Sequence, residues 1–132
     1  MELKPFDREF FDSLPGHEEV VIEPDGIYYT ITLHGEKAGV VGAIPSREPK
    51  SAFVQIVLAP EFRGRGLTSR AEDELARLHE LKTLFATINN DNFASLKAHS
   101  KAGFTILSEE KLTHLRELGK LKPNQIRMEK NY

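Results

Sequence analysis

Cysteine is absent from this 132-residue chain, and so is tryptophan. Without a thiol there is no disulfide, no thiolate nucleophile, no cysteine-linked acyl intermediate and no cysteine-based metal site. No apolar run approaches the length of a membrane span, and Met1-Glu-Leu-Lys4 has no signal-peptide core behind it. The default expectation is therefore a cytoplasmic protein with no membrane partner. Positive charge is not in excess: 18 basic against 20 acidic residues give a net charge of −2, so no overall attraction for nucleic acid is expected. The five histidines are scattered without ligand spacing, and no metal site is expected. There is no internal repeat, linker or low-complexity segment. At 39% hydrophobic residues, positions 1–132 are expected to form one domain around a single core.

The apolar pattern changes period along the chain. Asp7–Leu14 reads as a short helix stopped by Pro15-Gly16, and Glu19–Glu23 as a short strand. Ile27–Leu33 and Ala38–Ile44, rich in β-branched residues and joined by His34-Gly35-Glu36-Lys37, form a hairpin. A further strand follows over Ala52–Leu58. From Leu67 to Lys82 the period becomes 3.6, with Leu67, Ala71, Leu75 and Leu78 on one face. The run Arg70, Glu72, Asp73 and Glu74 is assigned to the solvated face. Thr83–Ile88 is a strand. Asn92 is placed to cap a helix running to about Ala102, and Gly103 to end it. Phe104–Leu107 and Asn124–Lys130 read as strands, while Ser108–Leu118 is open between helix and loop. Together these elements make an α+β domain around one mixed sheet.

The most informative stretch is Val57-Leu-Ala-Pro-Glu-Phe-Arg-Gly-Arg-Gly-Leu-Thr-Ser69. A strand ends in a glycine-punctuated basic loop that opens directly onto a helix. Gly64 and Gly66 let backbone N–H groups approach a ligand, and the helix's first turn adds unpaired donors and a positive dipole end. Arg63 and Arg65 add charges suited to phosphate. The stretch is a pyrophosphate cradle. It is neither a P-loop, since no lysine follows Gly66, nor Gly-x-Gly-x-x-Gly, since Ser69 stands at the third glycine.

Arg63-Gly-Arg-Gly66-Leu-Thr68 resembles motif A of the GNAT superfamily of N-acetyltransferases, with Thr68 departing from its small final residue. Asn92-Phe-Ala-Ser-Leu-Lys-Ala-His-Ser-Lys-Ala-Gly-Phe104 resembles motif B, with Ser95 standing for alanine and His99 for tyrosine. The resemblance covers roughly Ile27 to Tyr132. It implies a single GNAT-like domain whose central mixed, mostly antiparallel sheet is flanked by helices and whose splayed strands form a CoA cleft. It implies acetyl-CoA as cofactor, held by backbone groups of Ile56, Val57 and Leu58, by Arg63, Gly64, Arg65, Gly66, Leu67 and Thr68, and by Asn92. Asn92 has an equally good structural reading as a helix cap.

His99 aligns with the tyrosine that, in the resembling enzymes, protonates the departing CoA thiolate. A thiol with pKa near ~8.5 is within reach of an imidazolium near ~6.5, so His99 is the catalytic candidate, against packing beside the pantetheine. The carboxylate that often deprotonates the acceptor is missing: the aligned positions are Ala52 and Thr87, and Gln55 is no base either. Three readings stay open. A base comes from Glu36, Glu48, Glu61 or His34; the acceptor is an amine of low pKa; or the protein binds acyl-CoA without efficient turnover.

The expected function is acetyl transfer from acetyl-CoA directly to a primary amine of a small molecule or a peptide or protein. The alternative is an acyl-CoA-binding module or weak relative acting as a sensor. An RNA-binding Arg-Gly protein is opposed by the acidic balance. Association into a homodimer is left open.

Overall fold

A computed structural model describes residues 1–132. Its centre is a seven-stranded sheet in the order β1-β2-β3-β4-β5-β7-β6. The strands are β1 (Glu2–Pro5), β2 (Ile27–Leu33), β3 (Glu36–Pro45), β4 (Ser51–Leu58), β5 (Thr83–Asn89), β6 (Thr105–Ile106) and β7 (Gln125–Asn131). Every neighbouring pair is antiparallel except β4 and β5, which run parallel. Four helices flank it: α1 (Arg8–Ser13), α2 (Leu67–Leu78), α3 (Phe93–Lys101) and α4 (Glu109–Glu117).

The two faces of the sheet are covered differently. On one, Asp7 caps α1 and its backbone N–H donates to Thr30 Oγ1, seating α1 over β2 and β3. On the other, Leu67, Ala71 and Leu75 of α2 are fully buried in the core. That explains why β3 reads Ala38-Gly-Val-Val-Gly-Ala43 with no polar residue: it is buried from both sides. Gly42 is required there because the Tyr28 ring lies where its Cβ would be.

Several elements depart from the sequence reading. Glu19–Glu23 is not a strand: His17–Glu19 forms a 3-10 turn, and Tyr28 Oη ties down Glu23 N–H and Val21 C=O instead of a strand partner. The edge strand β1 went unread because its side chains are mostly exposed and carry no alternation. Helix α2 ends at Leu78 and not Lys82, as Glu80 turns left-handed (φ 52°) and Leu81 N–H returns to Ala76 C=O. The open segment at Ser108–Leu118 is helix α4, capped by Ser108 and anchored by buried Leu112.

Candidate functional site

Strands β4 and β5 pair only at Ser51–Thr83, Ala52–Leu84 and Phe53–Phe85. Beyond that point Val54–Leu58 and Ala86–Asn89 run on with no bridge between them, while their outer edges stay paired to β3 and β7. The sheet therefore opens into a wedge with unpaired backbone on its inner edges, Ile56 and Leu58 among them; the main chain of Val57, expected to join them, is turned the other way and pairs with Val40 of β3. Unpaired main-chain donors and acceptors call for a partner. Because the strands are parallel, α2 and α3 both start at the wedge's open end.

At that end the loop Arg63–Gly66 is exposed. Gly64 and Gly66 adopt φ of 75° and 74°, a left-handed conformation that favours glycine, and a Cβ at either would meet nothing within 4 Å. The glycines are thus required by backbone conformation, and space is left beside them. Gly66 is the N-cap of α2 and no side chain caps the helix, so its first-turn donors around Leu67 and Thr68 have no side-chain acceptor. Leu67 is buried and anchors the turn. Arg63, Arg65 and Arg70 form no ion pair, and Arg65 lies over the Phe62 ring at 5.3 Å. An uncapped helix start beside three unpaired guanidiniums is suited to an anion.

Asn92 caps α3, its Oδ1 accepting from Ser95 N–H at 3.2 Å. Its Nδ2 has no partner in the chain, so capping leaves a donor free at the wedge.

His99 is held elsewhere. It is 4% exposed, and its Nε2 lies 2.9 Å from Glu72 Oε2. Its Nδ1 lies 2.9 Å from Ser95 C=O and 3.3 Å from Ser95 Oγ, and Phe104 packs edge-on at 5.0 Å. Both ring nitrogens are thus engaged within the chain. Glu72, expected on the solvated face of α2, is instead fully buried. The signal was present: Glu72 lies three and four residues before Leu75 and Ala76, on the apolar stripe. Burial opposes charge on His99, yet the Glu72 carboxylate and the Ser95 carbonyl outweigh it and shift its pKa upward. Burial likewise pushes Glu72 upward, partly offset by His99. The two shifts pull differently on the ion pair: burial favours a neutral Glu72, whereas the carboxylate favours a charged His99, so the two groups titrate as one coupled unit.

No carboxylate emerges at the aligned base positions. Ala52 is buried in the core, and Thr87 Oγ1 accepts from Arg127 Nε and Nη2 at 3.2 and 3.1 Å. Glu36, Glu61 and His34 are exposed in or beside turns, and Glu48 lies in the loop at the wedge's closed end. No helix is long and apolar enough to cross a membrane.

The family model described as acetyltransferase (GNAT) family matches residues 2–104, so it includes the N-terminal residues that the sequence motifs left undiagnosed. Spermidine N(1)-acetyltransferase of Escherichia coli K12 is 29% identical over 86 residues, covering 61% of this chain and 46% of the relative. The chain thus spans about half the length of the curated relatives it matches. Among solved structures, the N-acetyltransferase PseH of Campylobacter jejuni in complex with acetyl coenzyme A superposes with a TM-score of 0.70 at 14% identity, covering 98% of this chain and 97% of that one. An IAA acetyltransferase of Bacillus cereus gives 0.61 at 24% identity, covering 82% and 79%. At these identities the structural matches speak to the fold.

Proposed function

The chain belongs to the acetyltransferase (GNAT) family, and on that premise we propose that it transfers an acetyl group from acetyl-CoA directly to a primary amine. The observation that carries the reading is the early end of β4–β5 pairing at Phe53–Phe85, with the uncapped, arginine-flanked start of α2 at the open end of the resulting wedge. These residues fit acetyl-CoA. The amides from Arg63 to Thr68 would take the pyrophosphate, the unpaired backbone of Ile56 and Leu58 the pantetheine arm, and the free Asn92 amide a further polar atom.

Held there, acetyl-CoA would supply an activated acyl group, its C–S bond being exchanged for a C–N bond to the neutral amine. The chain's part is to hold the two reactants in line and to polarise the carbonyl with backbone donors. That exchange would require a proton to leave the amine nitrogen and one to reach the sulfur. His99 would deliver the latter only by releasing Glu72, so we assign that delivery to water and give His99 the task of pinning α3 to α2. With no carboxylate at the aligned base positions, an acceptor already partly neutral at pH 7 is favoured. An α-amine of pKa ~7.7–8.0 is about a tenth neutral, whereas a lysine-type amine near ~10.4 is neutral in about one molecule in 10³.

The same lack of a base favours the second reading, a CoA-binding module with little turnover. Incubation with radiolabelled acetyl-CoA and a panel of α- and ε-amines separates the two. Label transferred to an amine, faster for α-amines at pH 7, is the expected outcome. Retained cofactor binding with no transfer to any amine in the panel favours the module.

A further inference from the structure

The face of the sheet opposite α2 carries a polar arrangement at the wedge. Phe53 and Phe85, the last bridged pair, face each other there with ring centroids 5.6 Å apart. The guanidinium of Arg127, from β7, lies 4.8 Å above Phe53 and bonds to Thr87, which is already in the opened part of β5. Nη2 also reaches Lys120 C=O at 3.5 Å. Nη1 has no partner in the chain, and Arg127 forms no ion pair although it is partly buried. Glu129 shares this face opposite Phe85, towards the wedge's closed end, and is likewise unpaired. Across the wedge, Gln55 follows Phe53 on the same face of β4, and its Oε1 is buried without a hydrogen-bond partner.

A half-buried guanidinium without a carboxylate, and a buried amide oxygen without a donor, are both costly as they stand. The guanidinium asks for an anion and the amide oxygen for a donor. Burial draws the Arg127 pKa down, which is the expected sign of an uncompensated cation.

We infer that this face is the acceptor subsite and that the acceptor is a primary amine bearing an anionic group, a carboxylate or a phosphate. Arg127 receives the anion through Nη1, the nitrogen left without a partner, and Gln55 Oε1 accepts a hydrogen bond from the amine beside the wedge. The subsite rests on the acetyltransferase reading above and sharpens it by naming the substrate class. It also separates this chain from its spermidine-acetylating relative, because a polycation beside Arg127 meets like charge. Guanidinium geometry matters as well as charge, since Nε and Nη2 bond Thr87 while the rigid plane presents Nη1 to the anion, which a lysine ammonium cannot do together.

The test uses the CoA-saturated protein and isothermal titration with five amines: β-alanine, 2-aminoethyl phosphate, β-alaninamide, 2-aminoethanol and spermidine. The anionic pair should bind at least ~10-fold more tightly than the neutral pair and spermidine, the scale of one charge-assisted hydrogen bond. The order within the anionic pair distinguishes carboxylate from phosphate. Arg127→Met should erase the discrimination and Arg127→Lys should keep only part of it, while both retain the CoA-induced rise in melting temperature that shows an intact fold and cofactor site. Equal affinity for all five amines, binding of none, or discrimination surviving Arg127→Met overturns the subsite. A wild-type protein with no CoA-induced shift instead fails the acetyltransferase reading, and the subsite with it.

Discussion

Removing the His99 imidazole should be the most damaging single truncation between α2 and α3, and its cost should depend on pH. Glu72 is fully buried and its Oε1 already lacks a partner, so His99→Ala leaves both carboxylate oxygens unpaired. Stranding a buried charge in this way costs about 3–5 kcal/mol. The carboxylate has an escape, because it can bind a proton. At pH 7, protonating a glutamate whose unfolded pKa is near ~4.3 costs about 3.7 kcal/mol, which limits the charge contribution and agrees with that range. Near pH 5 the same step costs only about 1 kcal/mol. The sign follows from linkage: Glu72 has a raised pKa in the folded variant, so the penalty is small near the unfolded pKa and grows as pH rises above it. With an unfolding entropy of about 2.1 cal/mol/K per residue, a domain of 132 residues loses about 11–18 °C in Tm for 3–5 kcal/mol. Calorimetry of wild type and variant from about pH 5 to about pH 8 measures this directly. The double variant Glu72→Met/His99→Leu should recover most of the loss, since apolar residues of similar size replace buried pairs at little net cost. A His99→Ala penalty below about 1 kcal/mol at pH 7, or one constant across the range, refutes the reasoning.

In the wild-type protein the sign differs in window. Glu72 raises the His99 pKa, so the pair's contribution is complete below the unfolded histidine value of ~6.5 and is lost as pH climbs through the folded value. Wild-type Tm should therefore fall relative to the apolar double variant as pH rises above ~6.5, and parallel curves count against the pairing. Asn92→Ala should cost about 1 kcal/mol of stability by removing the α3 cap. Asn92→Asp keeps a cap, and should weaken acetyl-CoA binding if Asn92 meets the cofactor; unchanged affinity leaves Asn92 a cap alone. Gly42→Ala drives a methyl group into the Tyr28 ring and should cost about 1–3 kcal/mol in urea titration.

The legible and illegible parts of the fold divide along physical lines. Strands β2 to β5 could be read because β-branched and aromatic runs are bounded by turns, and α2 because Leu67, Ala71 and Leu75 repeat at the helical period. The cradle glycines were legible because a left-handed backbone leaves a residue-type signature. Strand β1 was not, since a short edge strand is stabilised by pairing with β2 and not by its own pattern. Glu72 differs from its expected solvated place because its register on α2, three and four residues before Leu75 and Ala76, sets it on the buried stripe despite its charge. Its partner lies 27 residues away, and a sequence pattern gives no sign that a buried carboxylate will find an imidazole. Arg127 is illegible in sequence for the same reason: its place over Phe53 depends on sheet order, with β7 beside β5.

The most direct test of the central claim is the rise in Tm produced by acetyl-CoA in wild type and in Gly66→Asp. At a hundred times its Kd, a ligand bound only to the folded state adds ~2.7 kcal/mol, or roughly 10 °C for a domain of this size. Wild type should show that rise and a smaller one with ATP. Gly66→Asp, which sets a side chain and a negative charge at the uncapped start of α2, should show none. No rise in wild type, an equal rise with ATP, or a rise retained in Gly66→Asp would contradict the assignment of the pyrophosphate to Arg63–Thr68.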